Sequence, residues 1–438
     1  MSLHDADPEL AEAVFRAALE RMAADPPPLG ISPDPDALPP GTITREGLGG
    51  ERVMALLRDA LLPATTAIDH PRYLAFIPSV PTPASSLADL LVSAHAIYGG
   101  SWLESAGATH AENEALRWLA DLAGLPASAG GTFVQGGTNG NLSALHAARE
   151  RARHDGANAT RVAVSEEVHS SVRSMLRVMD AGTLEVPGAR LTGETLRAAL
   201  GDADGVFAVV ATAGTTNLGT IDDLAGIAGV CGERGLWMHV DGAYGLGALC
   251  APSVRDRFDG IERADSFIVD PHKWLFAPFD SCALIYRDPA YGRAAHRQHA
   301  GYLESLYADD THFNASDYGV QLTRRPRGLP FWFSLAVHGT DAYTEAVERT
   351  LAVTREAAEE IRRRDDLELV ADPELSVLVF RRRGWEAADY ARWAADLRES
   401  GTAFVLPTTH DGEAAGRLAL VNPRTTLEDI EMVLDAMI

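Results

Sequence analysis

The chain has 438 residues, 46% of them hydrophobic and 23% charged, with a formal net charge of −24 at pH 7. That length allows two or three domains around a large core, and the composition is that of an ordinary soluble globular protein. The acidic balance argues against nonspecific nucleic-acid binding. No apolar run approaches the ~18 residues of a membrane span. The acidic start of the chain lacks the basic and apolar regions of a signal peptide, so a cytoplasmic protein is expected. Cys231, Cys250 and Cys282 form no CxxC pair and read as reduced, buried, small apolar residues.

In chain order, residues 8–24 read as an amphipathic helix, and Pro26 to Pro40 as an extended, proline-rich arm. A helix near 50–62 follows, then a short extended piece opened by His70-Pro71-Arg72-Tyr73. This segment has no obvious core of its own and is expected to pack onto a second subunit. From about residue 83 the pattern is α/β. A helix over 111–123 leads to a strand at 132–134, a glycine-rich turn (Gly136-Gly137-Thr138-Asn139-Gly140-Asn141) and a helix over 142–152. Strands are predicted at 161–164, 206–212 and 236–240, with a helix over 222–234 between the last two. Short connections between strand, helix and strand argue for a parallel sheet. Further strands at 266–269 and 282–286 flank Asp270-Pro271-His272-Lys273-Trp274. A charged helix over 342–364 precedes strands at 367–370 and 377–381, a helix over 386–399, a strand near 403–406 and a last helix over 427–437. Three units result: a helical and extended arm (1–82), a large α/β domain (83–340) and a small α+β domain (341–438).

The chemistry concentrates at strand ends. Lys273 after one strand, Asp241 closing another and His169 beyond a third are what pyridoxal phosphate needs. A lysine amine can form a Schiff base, which arginine cannot. A carboxylate at the end of a buried strand is costly unless paired, and a pyridinium N–H is a suitable partner. An imidazole at His169 can stack on the ring, and the small Ala243 lets the other face lie flat. The glycine-rich turn entering a helix offers backbone N–H groups and a positive helix end to a phosphate, with His272 as a further donor. The threonines of Ala211-Thr212-Ala213-Gly214-Thr215-Thr216 reach either cofactor or substrate carboxylate, or simply form a strand-to-turn cluster. No His or acidic spacing matches a metal site, and there is no Gly-x-Ser-x-Gly elbow.

From His70 to the C-terminus the chain resembles the group II pyridoxal-phosphate decarboxylases, the family of aromatic-L-amino-acid and glutamate decarboxylases. The matching pieces are HPRYLAFIPS (70–79), GGSW (99–102), FVQGGTNGNLSAL (133–145), VHSSV (168–172), ATAGTTNLGTIDDL (211–224), HVDGAYG (239–245), ADSFIVDPHKW (264–274), RRPRGLPFWF (324–333) and LVNPRTTLEDI (420–430). The resemblance implies a fold-type I α/β architecture with a mostly parallel central sheet flanked by helices, and a homodimer with shared active sites. It implies that Lys273 binds the cofactor, Asp241 pairs with the ring nitrogen, His169 and Ala243 sandwich the ring, and Thr138, Asn139 and His272 hold phosphate. It implies a cofactor or carboxylate contact for Thr215. It also implies a mobile loop whose tyrosine protonates the substrate carbon. Tyr318, in Asp317-Tyr318, is the candidate, with Tyr307 competing.

Two departures from the family bear on the pocket. Asp270 stands where many members have Asn; a carboxylate beside a phosphate repels it, so Asp270 is expected to be paired or turned away. Relative to the animal aromatic decarboxylases, the Tyr98-Gly99-Gly100 wall lacks an aromatic at Gly100 and has one at Tyr98 in place of an aliphatic. Phe76, Ile77, Pro78 and Ser79 are expected to form another, mostly apolar wall. With no Arg or Lys in these walls, the expected substrate is aromatic or largely apolar, and the expected product a primary amine with CO2. The rival readings are an aldehyde-forming oxidative decarboxylase, an acidic amino acid decarboxylase, a non-decarboxylating lyase, and a catalytically silent pyridoxal-phosphate-binding or scaffold protein.

Overall fold

In the computed structural model, which describes residues 4–5, 7–30, 38–301, 303 and 312–437, a seven-stranded sheet carries most of the core. Its strands are β1 (Gly130–Val134), β2 (Arg161–Ser165), β3 (Gly182–Val186), β4 (Val206–Thr212), β5 (Trp237–Asp241), β6 (Ser266–Val269) and β7 (Cys282–Tyr286), in the order β1-β7-β6-β5-β4-β2-β3. The pairs β3–β2, β2–β4, β4–β5 and β5–β6 are parallel, and β7 runs against both of its neighbours. This is the mostly parallel α/β sheet expected from the sequence.

Alternation along each strand builds two cores. Ala163, Val209, Ala211, Met238 and Val240 face one layer with Leu116, Leu196 and Ile227. Val162, Val164, Ala208, Val210 and Trp237 face the other, where Ala144, Leu145 and Ala148 of the helix Gly137–His154 pack. Strands buried on both faces read as continuous apolar runs, which is why Val206–Thr212 was so legible. β3 was not anticipated: GTLEV is half exposed at the sheet edge and lacks such a run.

A second, antiparallel sheet of β8 (Leu367–Leu369), β9 (Val377–Arg382), β10 (Thr408–His410) and β11 (Glu413–Ala419) has the order β10-β11-β9-β8. Helices Thr340–Arg363, Ala387–Glu399 and Leu427–Asp435 close its core through Ile361, Trp393 and Val433. The strand expected near 403–406 is instead a single bridge from Phe404 to Tyr73, with the rings stacked at 4.8 Å. The pairing lies just beyond, in a hairpin turned by Asp411 (φ 52°) and Gly412 (φ 77°). Asp-Gly is the pair favoured where both turn residues need positive φ, so the hairpin signal was present in the sequence.

Helix Pro8–Ala23 has no buried residue, and a helix over Gly50–Leu56 continues into a π turn, Leu57–Leu61. Residues 31–37 of the proline-rich arm lie outside the described residues. Among the described residues no helix is long and apolar enough to cross a membrane.

Candidate active site

Parallel sheets bind ligands beyond the carboxyl ends of their strands, and the candidate residues converge there. The turn after β1 supplies Gly136, Gly137 and Thr138, β2 leads to Glu167 and His169, and β4 ends in Thr212 to Thr216. β5 ends in Asp241 and Ala243, and β6 in Asp270, His272 and Lys273; together they surround a cavity of about 410 Å³.

Lys273 sits on the single helical turn Pro271–Trp274. Trp274 anchors that turn by stacking on Tyr244 at 5.1 Å and donating from Nε1 to Thr350 Oγ1 at 3.0 Å. The Lys273 ammonium meets Asp270 Oδ2 at 3.0 Å. Burial lowers a lysine, but the Asp270 charge, the hydrogen bond to Asp270 and the Asp241 charge together offset it and hold Lys273 above its ordinary value. Burial likewise raises Asp270, and the charges of Lys273 and His272 with the hydrogen bonds from Cys282 and Lys273 together bring it below the usual carboxylate range. The carboxylate expected to be paired or turned away is therefore paired, with the lysine itself. His272 Nε2 lies 3.7 Å from the same oxygen, its Nδ1 is tied to the Ser281 backbone, and burial lowers its pKa.

Asp241 is 7% exposed and forms no ion pair with a described residue. Asn141 Nδ2 donates to its Oδ2 at 2.9 Å and the Ala243 backbone N–H to its Oδ1 at 3.2 Å. A buried carboxylate that lines a cavity and is held in no ion pair by a described residue suits a protonated ring nitrogen. His169 caps the helix Ser170–Val178: its Nδ1 accepts the Ser171 N–H at 3.2 Å and meets Ser171 Oγ at 2.8 Å. Those contacts assign the ring hydrogen to Nε2. At the glycine-rich turn, helix Gly137–His154 begins without a side-chain cap. A Cβ on Gly137 would stand 3.3 Å from Asp270 Oδ2 and 3.2 Å from Ile268, so the bare backbone keeps this corner open. Thr212 Oγ1 is buried in the wall with no hydrogen-bond partner. Thr215 is there too, its Oγ1 accepting the Thr220 N–H at 3.1 Å.

Some expected residues do not reach this cavity. Asn139 turns away, donating from Nδ2 to Gln135 Oε1 at 2.9 Å, and Asn141 lines the wall instead. Of the expected apolar wall only Phe76 and Ile77 are present; Pro78 is buried behind them. Ser79 donates to Ala277 O at 3.1 Å and faces a separate cavity. Tyr98 and Gly100 are also outside the lining, and the missing side chain at Gly100 does not leave open room. A Cβ there would fall 2.2 Å from Tyr98 Oη, because the phenol folds back over Gly100 and donates to Leu322 O at 2.9 Å. Tyr318 is 8% exposed, stacked on Phe313 with centroids 4.5 Å apart, and its carbonyl accepts from Tyr286 Oη. Buried there, it does not line this cavity. Tyr307 lies outside the described residues.

Sequence reasoning missed Asn141, although it lies inside the quoted glycine-rich motif, and it missed Arg417. This buried β11 guanidinium donates to Thr216 O at 2.6 and 3.1 Å and to Phe76 O at 3.0 Å. It thereby braces two cavity walls, one at Phe76, whose φ of 53° is strained for a non-glycine residue. Arg324 of the RRPRGLPFWF stretch is structural: buried, paired with Glu112 at 2.8 Å, and donating to Phe133 O at 3.0 Å.

A lysine at a ligand-sized cavity, a carboxylate with no ion pair to a described residue, an uncapped helix start and a threonine hydroxyl without a described partner fit pyridoxal phosphate. Comparison with known proteins agrees. Residues 38–383 match the pyridoxal-dependent decarboxylase conserved domain. The chain is 35% identical to an L-2,4-diaminobutyrate decarboxylase of Rhizobium meliloti, over 93% of this chain and 84% of the relative. It is 29% identical to an aromatic-L-amino-acid decarboxylase of Bacillus atrophaeus, over 90% and 86%. The crystal structure of Oryza sativa TDC with PLP and tryptamine superposes with a TM-score of 0.90 at 24% identity, covering 100% of this chain and 99% of that one, which establishes the fold-type I architecture. The chain belongs to the pyridoxal-dependent decarboxylases and is a pyridoxal-phosphate-dependent amino acid carboxy-lyase.

Proposed function

We propose that this decarboxylase converts an L-amino acid with an aromatic or largely apolar side chain to its primary amine. The observation that carries the reading is the cavity wall. Phe76, Ile77 and Phe279 supply its apolar surface, and Lys273 is the one Lys or Arg among the described lining residues. With Lys273 committed to the cofactor, no second cation is left there to clamp a side-chain carboxylate, which speaks against an acidic substrate.

Pyridoxal phosphate, when bound, supplies the sink for the electrons left at Cα as CO2 departs. Lys273 would hold it covalently, and the neighbouring side chains would complete the site. Asp241 keeps a proton on the ring nitrogen. His169 covers the ring and offers its Nε2–H toward the substrate. Thr138, Thr215 and His272 hold the cofactor, and Ala243 leaves room for the ring beneath. The N–H of His169 and the amine of Lys273, both in the cavity wall, would be the proton carriers for the substrate carbon.

A second reading is a diamino acid substrate. Glu167 and Asp280 add carboxylates to the wall; Arg327 donates to Asp280 at 2.9 Å, whereas Glu167 forms no ion pair with a described residue. A relative at 35% identity is named for L-2,4-diaminobutyrate. Comparing kcat/KM for L-tryptophan, L-tyrosine and L-2,4-diaminobutyrate, with Glu167→Gln beside the wild type, tests both. The aromatic reading expects faster aromatic turnover that is unaffected by E167Q. Preference for the diamino acid, lost in E167Q, would replace it.

We also propose that the protein is a homodimer and is divided into units 1–82, 83–340 and 341–438. Val14, Phe15 and Leu19 on helix Pro8–Ala23, and Leu87, Leu90 and Leu91 on helix Pro83–Ala94, are exposed apolar residues that a second copy would cover. Sedimentation equilibrium checks it: the dimer mass is expected, and a monomer at micromolar concentration would remove the homodimer from the proposal.

A further inference from the structure

Alternate residues of a strand share a face, so β5 presents Trp237, His239 and Asp241 together. The β5–β6 register sets Ser266 beside His239, and helix Gly137–His154 brings Asn141 onto the same face. All five side chains are buried, none more than 7% exposed. Trp237 Nε1 donates to Ser266 Oγ at 2.8 Å, and Ser266 Oγ meets His239 Nδ1 at 2.8 Å. His239 Nε2 meets Asn141 Oδ1 at 2.8 Å, and Asn141 Nδ2 donates to Asp241 Oδ2 at 2.9 Å.

Only one placement of hydrogens satisfies this chain of bonds. Asn141 gives its N–H to a carboxylate, so its oxygen faces His239 and must accept; Nε2 therefore carries the ring hydrogen. Burial lowers His239 to about 4, so the ring is neutral and Nδ1 is bare. Nδ1 accepts the Ser266 hydroxyl, whose oxygen accepts the Trp237 N–H. Every hydrogen in the chain points toward Asp241. A core needing only packing would fill this space with apolar side chains, since a buried polar network is tolerated only when fully satisfied. In this one every side-chain nitrogen and oxygen has a hydrogen-bond partner, and the chain ends at the cavity.

We propose that Trp237, Ser266, His239 and Asn141 are positioning residues whose directed bonds hold the Asp241 carboxylate in one orientation toward the cavity, and so set how firmly the ring nitrogen of the bound cofactor keeps its proton. With Oδ2 held by Asn141 and Oδ1 by the Ala243 N–H, the carboxylate plane is fixed and its remaining lone pairs serve the ligand.

The test measures binding of two compounds to the full chain: pyridoxal phosphate, and an analogue with carbon in place of the ring nitrogen. His239→Leu is expected to weaken pyridoxal phosphate binding about tenfold, the loss expected when a hydrogen bond to a charged group is disturbed. Binding of the analogue should not change. His239→Gln, whose amide N–H reaches toward Asn141, should restore most of the affinity. The absorbance titration of the loaded protein should shift in H239L and return in H239Q. An equal loss for both compounds, or none for either, would overturn the proposal. Should H239L fail to fold, Ser266→Ala carries the same comparison, with a smaller selective loss expected and an equal loss refuting it.

Discussion

Replacing Asp270 with Asn removes the carboxylate paired with Lys273 and keeps its shape. At 3.0 Å and an effective dielectric of ~20 the two charges attract by about 5 kcal/mol. Much of that is offset by the cost of burying a carboxylate that is 2% exposed. The lysine side chain is a quarter exposed, so water can take over once the partner is gone. The net loss of stability in the cofactor-free protein is then about 1–3 kcal/mol near neutral pH. The pH dependence follows from the directions of the shifts. Asp270 is held below its ordinary value, so its contribution is present above the unfolded carboxylate range and lost as pH falls through the folded value. Lys273 is held above its ordinary value, so its contribution is present below the unfolded lysine range and lost as pH rises through the folded value. Urea titrations of cofactor-free wild type and D270N should therefore differ at neutral pH and converge in acid and in strong base. The same substitution lets Lys273 lose its proton more easily, so covalent attachment of pyridoxal phosphate, followed by its visible absorbance, should reach its half-maximal rate at lower pH. Equal stability at neutral pH together with an unchanged attachment profile would refute the pairing.

Three further perturbations address the walls and the proton donor. Tyr318→Phe should leave the ratio of amine to aldehyde unchanged, because the ring is packed on Phe313; the same product analysis of Tyr302→Phe and Tyr307→Phe tests the two tyrosines of that segment outside the described residues. Arg417→Lys removes the planar fork that holds Thr216 and Phe76, and is expected to raise KM about tenfold with a smaller change in cofactor affinity, measured by steady-state kinetics and cofactor titration. Gly100→Ala drives a methyl into the Tyr98 phenol and should destabilise the protein by about 1–3 kcal/mol in urea denaturation, whereas the double change with Tyr98→Phe should recover part of that loss.

Much of the site was legible because its chemistry lies at strand ends, where a polar residue closing an apolar run is conspicuous. Asp241 after Trp237–Val240 and Lys273 after Ser266–Val269 are of this kind. The residues that sequence reasoning misplaced depend on side-chain direction, which spacing does not carry. Asn139 and Asn141 share one motif, but half a helical turn separates the asparagine bound to Gln135 from the one bound to Asp241. Tyr98 and Gly100 exchange an aromatic between neighbours so that one fills the space the other vacates. Arg417 comes from the second sheet, far along the chain from the walls it braces, and no local pattern announces it. The Asp411-Gly412 hairpin was different: its signal was explicit and was overlooked in favour of the apolar Ala403-Phe404-Val405 run beside it.

The most direct measurement of the central claim is product stoichiometry from the cofactor-loaded protein across a panel of L-amino acids, with CO2, amine, aldehyde and peroxide all quantified. The account predicts equal amounts of CO2 and amine from an aromatic or apolar amino acid, with no peroxide, and loss of both products in Lys273→Ala. Aldehyde with peroxide in place of amine, or no CO2 from any member of the panel, would contradict it.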